Sequence, residues 1–121
     1  MKYLCLVYAD ENKLEGYDDE ECLAYDAAIR DSGHCLASEA LQPVRTATTV
    51  RVRNGKVTMT DGPFAETKEQ LAGFYLIDAR DLGEAIQLAS KIPPGTVGSI
   101  EVRPIRPIRE AARAKSLRGV R

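Results

Sequence analysis

No apolar run in the 121-residue chain approaches the roughly 20 residues that a helix needs to cross a bilayer. The opening MKYLCLVYADENK is apolar only briefly, with acids close behind and no small-residue cleavage site, so it does not read as a signal peptide. Cysteine is scarce. Cys5, Cys22 and Cys35 are widely spaced, odd in number and form no C-x-x-C pair, which excludes a disulfide framework or a zinc site. His34 is the lone histidine, too few for a site that needs three or four converging donors. A surplus of one charge is missing too: 17 Lys and Arg face 18 Asp and Glu, so no global field favours nucleic acid or an anionic membrane. Phosphate-cradling loops, dinucleotide fingerprints and nucleophile motifs are absent. These absences predict a soluble cytoplasmic protein without metal, organic cofactor, membrane or direct nucleic-acid partner.

What is present suits one globular domain, with 44% hydrophobic and 29% charged residues. Lys2–Tyr8 is a strand with two apolar faces, Tyr3, Cys5 and Val7 on one side and Leu4, Leu6 and Tyr8 on the other. A polar loop over Ala9–Tyr17 precedes a helix capped by Asp18, whose stripe is Cys22, Tyr25, Ala28 and Ile29, and Gly33 ends it. His34–Leu41 reads as a second strand. Ala47–Arg53 and Lys56–Thr60 alternate around Asn54-Gly55, the strongest short-range hairpin signal. After the loop Asp61–Gln70, Leu71–Asp78 is again apolar on both sides. Asp81 caps a second helix with the stripe Leu82, Ala85, Ile86 and Ala89, closed by Pro93-Pro94, and Gly98–Arg103 is the last strand.

The order β-α-β, hairpin, β-α-β predicts an α+β, ferredoxin-like antiparallel sheet with both helices on one face. The other face is apolar as well, which marks an interaction surface. A two-fold homodimer, with two sheets face to face or closed into an α+β barrel, is the economical solution. The alternative is a hairpin folded back over the bare face of a monomer. Residues 1–104 make the domain. The tail 105–121 is basic, with Arg106, Arg109, Arg113, Lys115, Arg118 and Arg121 against Glu110 alone. A short helix fits Arg109–Leu117, and a solvated terminus explains the tail better than a nucleic-acid arm, since no aromatic is interleaved for stacking.

Few polar residues are aimed by this framework. Asp61-Gly62-Pro63-Phe64 is a rigid turn directly after the hairpin; Asp61 either caps that turn or stands with Thr60 at a pocket mouth. His34 has the unperturbed pKa of a general acid or base. Sequence alone does not decide whether His34 and Asp61 share a cleft. Tyr8 and Tyr75 suit pocket walls.

The run Thr60–Tyr75 (TDGPFAETKEQLAGFY) closely resembles the signature of the YCII-related proteins of the DGPF type. The segments MKYLCLVY, EALQPVRTATT and SIEVRP resemble the same family, in order from Met1 to about Pro104. The resemblance implies a bacterial ferredoxin-like domain of the dimeric α+β barrel superfamily. It also implies a regulatory association in some relatives with extracytoplasmic-function sigma factors. The wider group includes a dehydrochlorinase acting on a chlorinated hydroxyquinol, with a His–Asp pair proposed as its catalytic site. That histidine belongs to the first helix, where this sequence has none; Cys22 stands near the position, and His34 is a different histidine. Two functions follow as expectations. One is a small-ligand-binding or regulatory dimer, with Tyr8, Thr60 and Tyr75 at the ligand. The other is a cofactor-independent lyase or isomerase on a hydroxylated or enol-like substrate, with His34 or Asp61 moving a proton. The sequence leans to the first.

Overall fold

The computed structural model describes residues 1–109, so the helix expected over 109–117 and most of the basic tail lie outside the described residues. Strands β1 (Lys2–Ala9), β2 (Cys35–Ala40), β5 (Gln70–Asp78) and β6 (Ser99–Pro104) form one sheet in the order β2-β5-β1-β6. Every neighbouring pair in it is antiparallel. Helix α2 (Asp19–Asp31) connects β1 to β2, and α3 (Leu82–Ala89) connects β5 to β6. This is the ferredoxin-like order, with a hairpin inserted ahead of β5. Among the described residues no helix is long and apolar enough to cross a membrane.

Both long helices lie on one face of the sheet. There Tyr3, Cys5 and Val7 of β1 and Tyr75 and Ile77 of β5 pack with Ile29 of α2, Ala85 and Ala89 of α3, and Ile92. Burying each large side chain here contributes about 2 kcal/mol. Strand alternation sends Leu4, Leu6 and Tyr8 to the opposite face, where Leu4 is paired with Leu76 and Leu6 with Phe74. These residues are only half-buried.

The helix ends follow local chemistry. Asp18 accepts from the Glu20 amide at 2.9 Å, and Asp81 accepts from the Glu84 amide at 2.9 Å. The Glu84 carboxylate reaches back to the Arg80 amide, one residue before the cap.

Several expectations are corrected. The loop over Ala9–Tyr17 contains a short helix, α1 (Glu11–Leu14), because Asp10 caps it through the Asn12 amide. On α2, Ala28 is exposed; Tyr25 and Ile29 alone hold the sheet, and the half-buried Asp26 sits beside Cys22. On α3, Ala85 and Ala89 are buried as expected, but Leu82 and Ile86 are exposed while Leu88 packs on the core, so the stripe is turned by about a sixth of a helical turn. All three cysteines are free, but only Cys5 is buried.

The hairpin β3 (Thr48–Arg53) and β4 (Lys56–Asp61) is a separate two-stranded sheet and pairs with no strand of the main one. Its turn is the expected one, with Asn54 at φ 52° and Gly55 at φ 76°. Val50 lies opposite Met59 and Val52 opposite Val57, so these four share a face. Their exposures are 58%, 73%, 57% and 64% respectively. The hairpin therefore does not fold back over the bare face of its own sheet.

Candidate ligand-binding site

A cavity of about 370 Å³ opens between α1, α2 and the β2–β5 edge of the sheet. Helical spacing places Asp19, Cys22, Asp26 and Arg30 of α2 along it, three or four residues apart. Ser38 of β2 faces them, and it is paired across the ladder with Tyr75 of β5, so their side chains share the helix-covered face. Val7, Leu14 and Pro94 supply apolar wall.

The centre of the cavity is a hydrogen-bonded pair. The Tyr75 hydroxyl donates to Asp26 Oδ1, linking residues 49 apart in sequence. Tyr25 meets Tyr75 edge to face, ring centroids 5.3 Å apart and planes at 82°, and its own hydroxyl donates to the Leu88 carbonyl at 2.9 Å. Burial, and then the hydrogen bond to Asp26, push the Tyr75 phenol well above the ordinary tyrosine range. Burial does the same to Tyr25, which stays a neutral hydroxyl donor. The Arg30 guanidinium reaches the Ser38 hydroxyl at 3.4 Å.

The field in this cavity is negative. The Cys22 thiol is pushed up, first by burial and then by Asp26, Asp19, Glu21 and Asp18 around it. A thiolate is the nucleophilic form of cysteine, so these neighbours suppress that chemistry at Cys22. Among the described residues no three His, Cys, Asp or Glu side chains are grouped to hold a metal ion.

The residues singled out in the sequence scatter over three places. Tyr75 is the centre of this cavity. His34 stands at the other end of β5: its ring Nδ1 lies 2.8 Å from the Asp78 carbonyl oxygen and 3.8 Å from Glu84 Oε1. That contact makes Nδ1 the donor and ties β2, β5 and α3 together. Asp61 and Thr60 are exposed on β4, opposite Thr48 and Thr49. The turn after them is stapled to the start of β3, with the Gly62 amide donating to Ala47 at 2.7 Å and Thr49 Oγ1 donating to the Gly62 carbonyl at 2.8 Å. Since the loop from Asp61 enters β5 at Gln70 and His34 meets β5 at Asp78, the two are separated by roughly 25 Å of strand within one chain. One chain brings no His34–Asp61 pair into a common cleft.

Tyr8 lines a second, more apolar cavity of about 550 Å³ with Val44, Phe64, Leu71 and the base of the hairpin. Here the DGPF run has a mainly architectural role. Gln70 Nε2 donates to the Thr67 carbonyl at 2.8 Å, Thr67 Oγ1 donates to the Glu69 carbonyl, and the Glu69 carboxylate accepts from the Ser99 hydroxyl at the start of β6 at 2.7 Å.

Sequence reasoning missed Asp26, Arg30 and Ser38. Asp19, Cys22, Asp26 and Arg30 fall at one helical spacing beside the apolar stripe, which is the signal that was available.

A family model for the YCII-related domain matches residues 1–109. The chain is also 40% identical over 115 residues to an uncharacterised protein of Rhizobium meliloti (strain 1021), covering 87% of this chain and 92% of that one. Matched over the whole of its described length, and folded as the ferredoxin-like sheet that its element order requires, this chain belongs to the YCII-related family.

Proposed function

We propose that the protein is a small-ligand-binding dimer of regulatory type, whose ligand enters the 370 Å³ cavity and hydrogen-bonds to the Asp26–Tyr75 pair. The observation that carries this reading is a carboxylate and a phenol, paired inside a partly apolar pocket that the core holds in place. Asp26 Oδ1 accepts the hydrogen bond of the Tyr75 hydroxyl, and Oδ2 is left to accept from a ligand. Asp18, Asp19 and Glu21 make the surroundings negative, with Arg30 the lone cation lining the cavity among the described residues. The preferred ligand is thus a small, partly apolar molecule carrying an amine or hydroxyl donor. A carboxylate would meet repulsion.

Phenethylamine and phenylacetate are a matched pair for testing this, similar in size and opposite in charge. Calorimetry should show phenethylamine binding to the wild-type chain, with a loss of about 10- to 100-fold in Asp26→Asn, the worth of a hydrogen bond to a charged group. Phenylacetate binding as tightly, or an unchanged affinity in Asp26→Asn, overturns the assignment.

The dimer rests on the bare sheet face. Leu4, Leu6, Phe74 and Leu76 form a continuous apolar stripe on its two central strands, and a second copy is the economical cover. Light scattering across a dilution series tests it, with a monomer at every concentration as the refuting result. A sigma factor of the extracytoplasmic-function class is the partner that such a ligand-reading dimer would serve. Capture of that partner should then change when the cavity ligand is added.

A further inference from the structure

The β3–β4 hairpin is an amphipathic ribbon whose apolar face is uncovered among the described residues. Val50, Val52, Val57 and Met59 share one face and are all more than half exposed, while Arg51, Arg53 and Lys56 stand on the other. An isolated two-stranded ribbon is marginal in water and needs a surface to pack on. We propose that this hairpin is an exchanged arm: each copy lays the apolar face of its ribbon on the open sheet face of the other, over Leu4, Leu6, Phe74 and Leu76. The inference rests on the dimer reading and adds to it which segment makes the contact.

Three observations select a second copy as the occupant. The first is reach. Six-residue strands carry the arm about 20 Å beyond its base, and the outer strands of a four-stranded sheet are about 15 Å apart, so one arm spans one sheet. The second is area. The four apolar side chains of an arm expose roughly 400 Å². The half-buried stripe adds roughly 200 Å² on each face, so covering two arms and two faces removes roughly 1,200 Å² from water, the lower end of a standard specific interface. The third is charge. The arm, residues 48–60, has three cations and no acid, whereas residues 1–47 hold ten acids against four bases. The receiving stripe is bordered by Glu39, opposite Phe74, and by Glu101, opposite Leu6 and ion-paired at 3.7 Å to Arg103, which stands opposite Leu4. The opposite net charges of ribbon and body steer the arm of one copy towards the body of the other at long range, with the cations on the outer side of the docked ribbon, and disfavour arm against arm.

The base of the arm supports the same geometry. The 550 Å³ cavity there runs from Tyr8, at the end of the open face, to Phe64, which is 79% exposed. Apolar surface is therefore continuous from the sheet to the root of the hairpin.

The test compares the full chain with Val52→Glu/Val57→Glu. Both positions are exposed in a single copy, so the variant should keep the wild-type circular dichroism. Light scattering should show its dimer dissociation constant raised 100-fold or more. In a second experiment, p-benzoylphenylalanine replaces Val57, and unlabelled and ¹⁵N-labelled chains are mixed and irradiated. Mixed-isotope adducts to the peptides holding Leu4–Tyr8 or Ala72–Leu76 are expected. A wild-type dimer that the double glutamate variant leaves equally tight sinks the arm but spares the dimer. A wild-type monomer whose adducts are all within one chain sinks both.

Discussion

Raising the pH should unfold this protein through groups that the core keeps protonated. Burial pushes the Cys5 thiol from its ordinary 9.0 up to about 11. Burial also raises Tyr25, and burial with the Asp26 hydrogen bond raises Tyr75, both from an ordinary 10.0. In each case the folded state holds a proton that the unfolded chain has released. Stability is therefore intact below the unfolded value and falls as pH rises above it. Cys5 acts first. Between pH 9.0 and about 11 it removes about 1.4 kcal/mol per pH unit, or about 3 kcal/mol over the window. From pH 10 the two tyrosines join, each with a similar slope. Against a total stability of about 5–15 kcal/mol, the three together bring unfolding close to pH 11. Urea midpoints by circular dichroism at half-unit steps from pH 7 to 11 measure this directly. The curve should be flat to about pH 8.5 and then steepen twice. Cys5→Ala should lower the plateau but remove the first descent, while Tyr75→Phe should soften only the second. A stability independent of pH between 9 and 11 would refute the reasoning.

Gly98→Ala should be severe. A Cβ there would stand 2.1 Å from the Tyr8 carbonyl oxygen and 3.0 Å from Ala9 Cα, both backbone atoms that cannot step aside. A loss of about 3 kcal/mol in urea unfolding is expected, with amide exchange quickened in β6; a stability unchanged to within 0.5 kcal/mol on the scale of ordinary surface changes would contradict the contact. His34→Ala removes the ring that ties Asp78 to β2 and should cost about 1 kcal/mol of stability. Because that ring is remote from the cavity, phenethylamine affinity should not move; a tenfold loss would place His34 in the site.

The fold was legible because its signals are local. Asn54-Gly55 dictates the left-handed turn of a hairpin, and Asp18 and Asp81 cap their helices with their own carboxylates. The double-sided strands β1 and β5 could only be the centre of a sheet. The candidate site was less legible, since it depends on a rotation of α2 that single-sequence periodicity fixes poorly. A stripe of Cys22, Tyr25, Ala28 and Ile29 differs from the observed Tyr25 and Ile29 by a modest turn about the helix axis. That turn carries Asp26 from solvent to the phenol of Tyr75. A further obstacle is that the pairing joins residues 49 apart, which only the assembled sheet brings together. His34 and Asp61 drew attention for their chemistry. Their distance from one another was set by the direction of β5, which no local pattern reveals.

Strand β5 links the two surfaces that the proposals use. Tyr75 points to the cavity, and its neighbours Phe74 and Leu76 point to the open face, because successive side chains alternate across a strand. On the cavity side Tyr75 is held by Asp26 and by the edge of Tyr25, so a ligand competing for Asp26 bears directly on the β5 backbone. On the far side the same backbone positions the centre of the apolar stripe. A shift of one strand thus alters both surfaces at once, with no intervening relay of side chains. The requirement for coupling is only that the ligand prefer one placement of β5 and the partner copy another. By linkage the effect is mutual: dimerisation must change ligand affinity by the factor through which ligand changes dimerisation. A ligand in the cavity on the helix face would in this way control the proposed hairpin-mediated dimer.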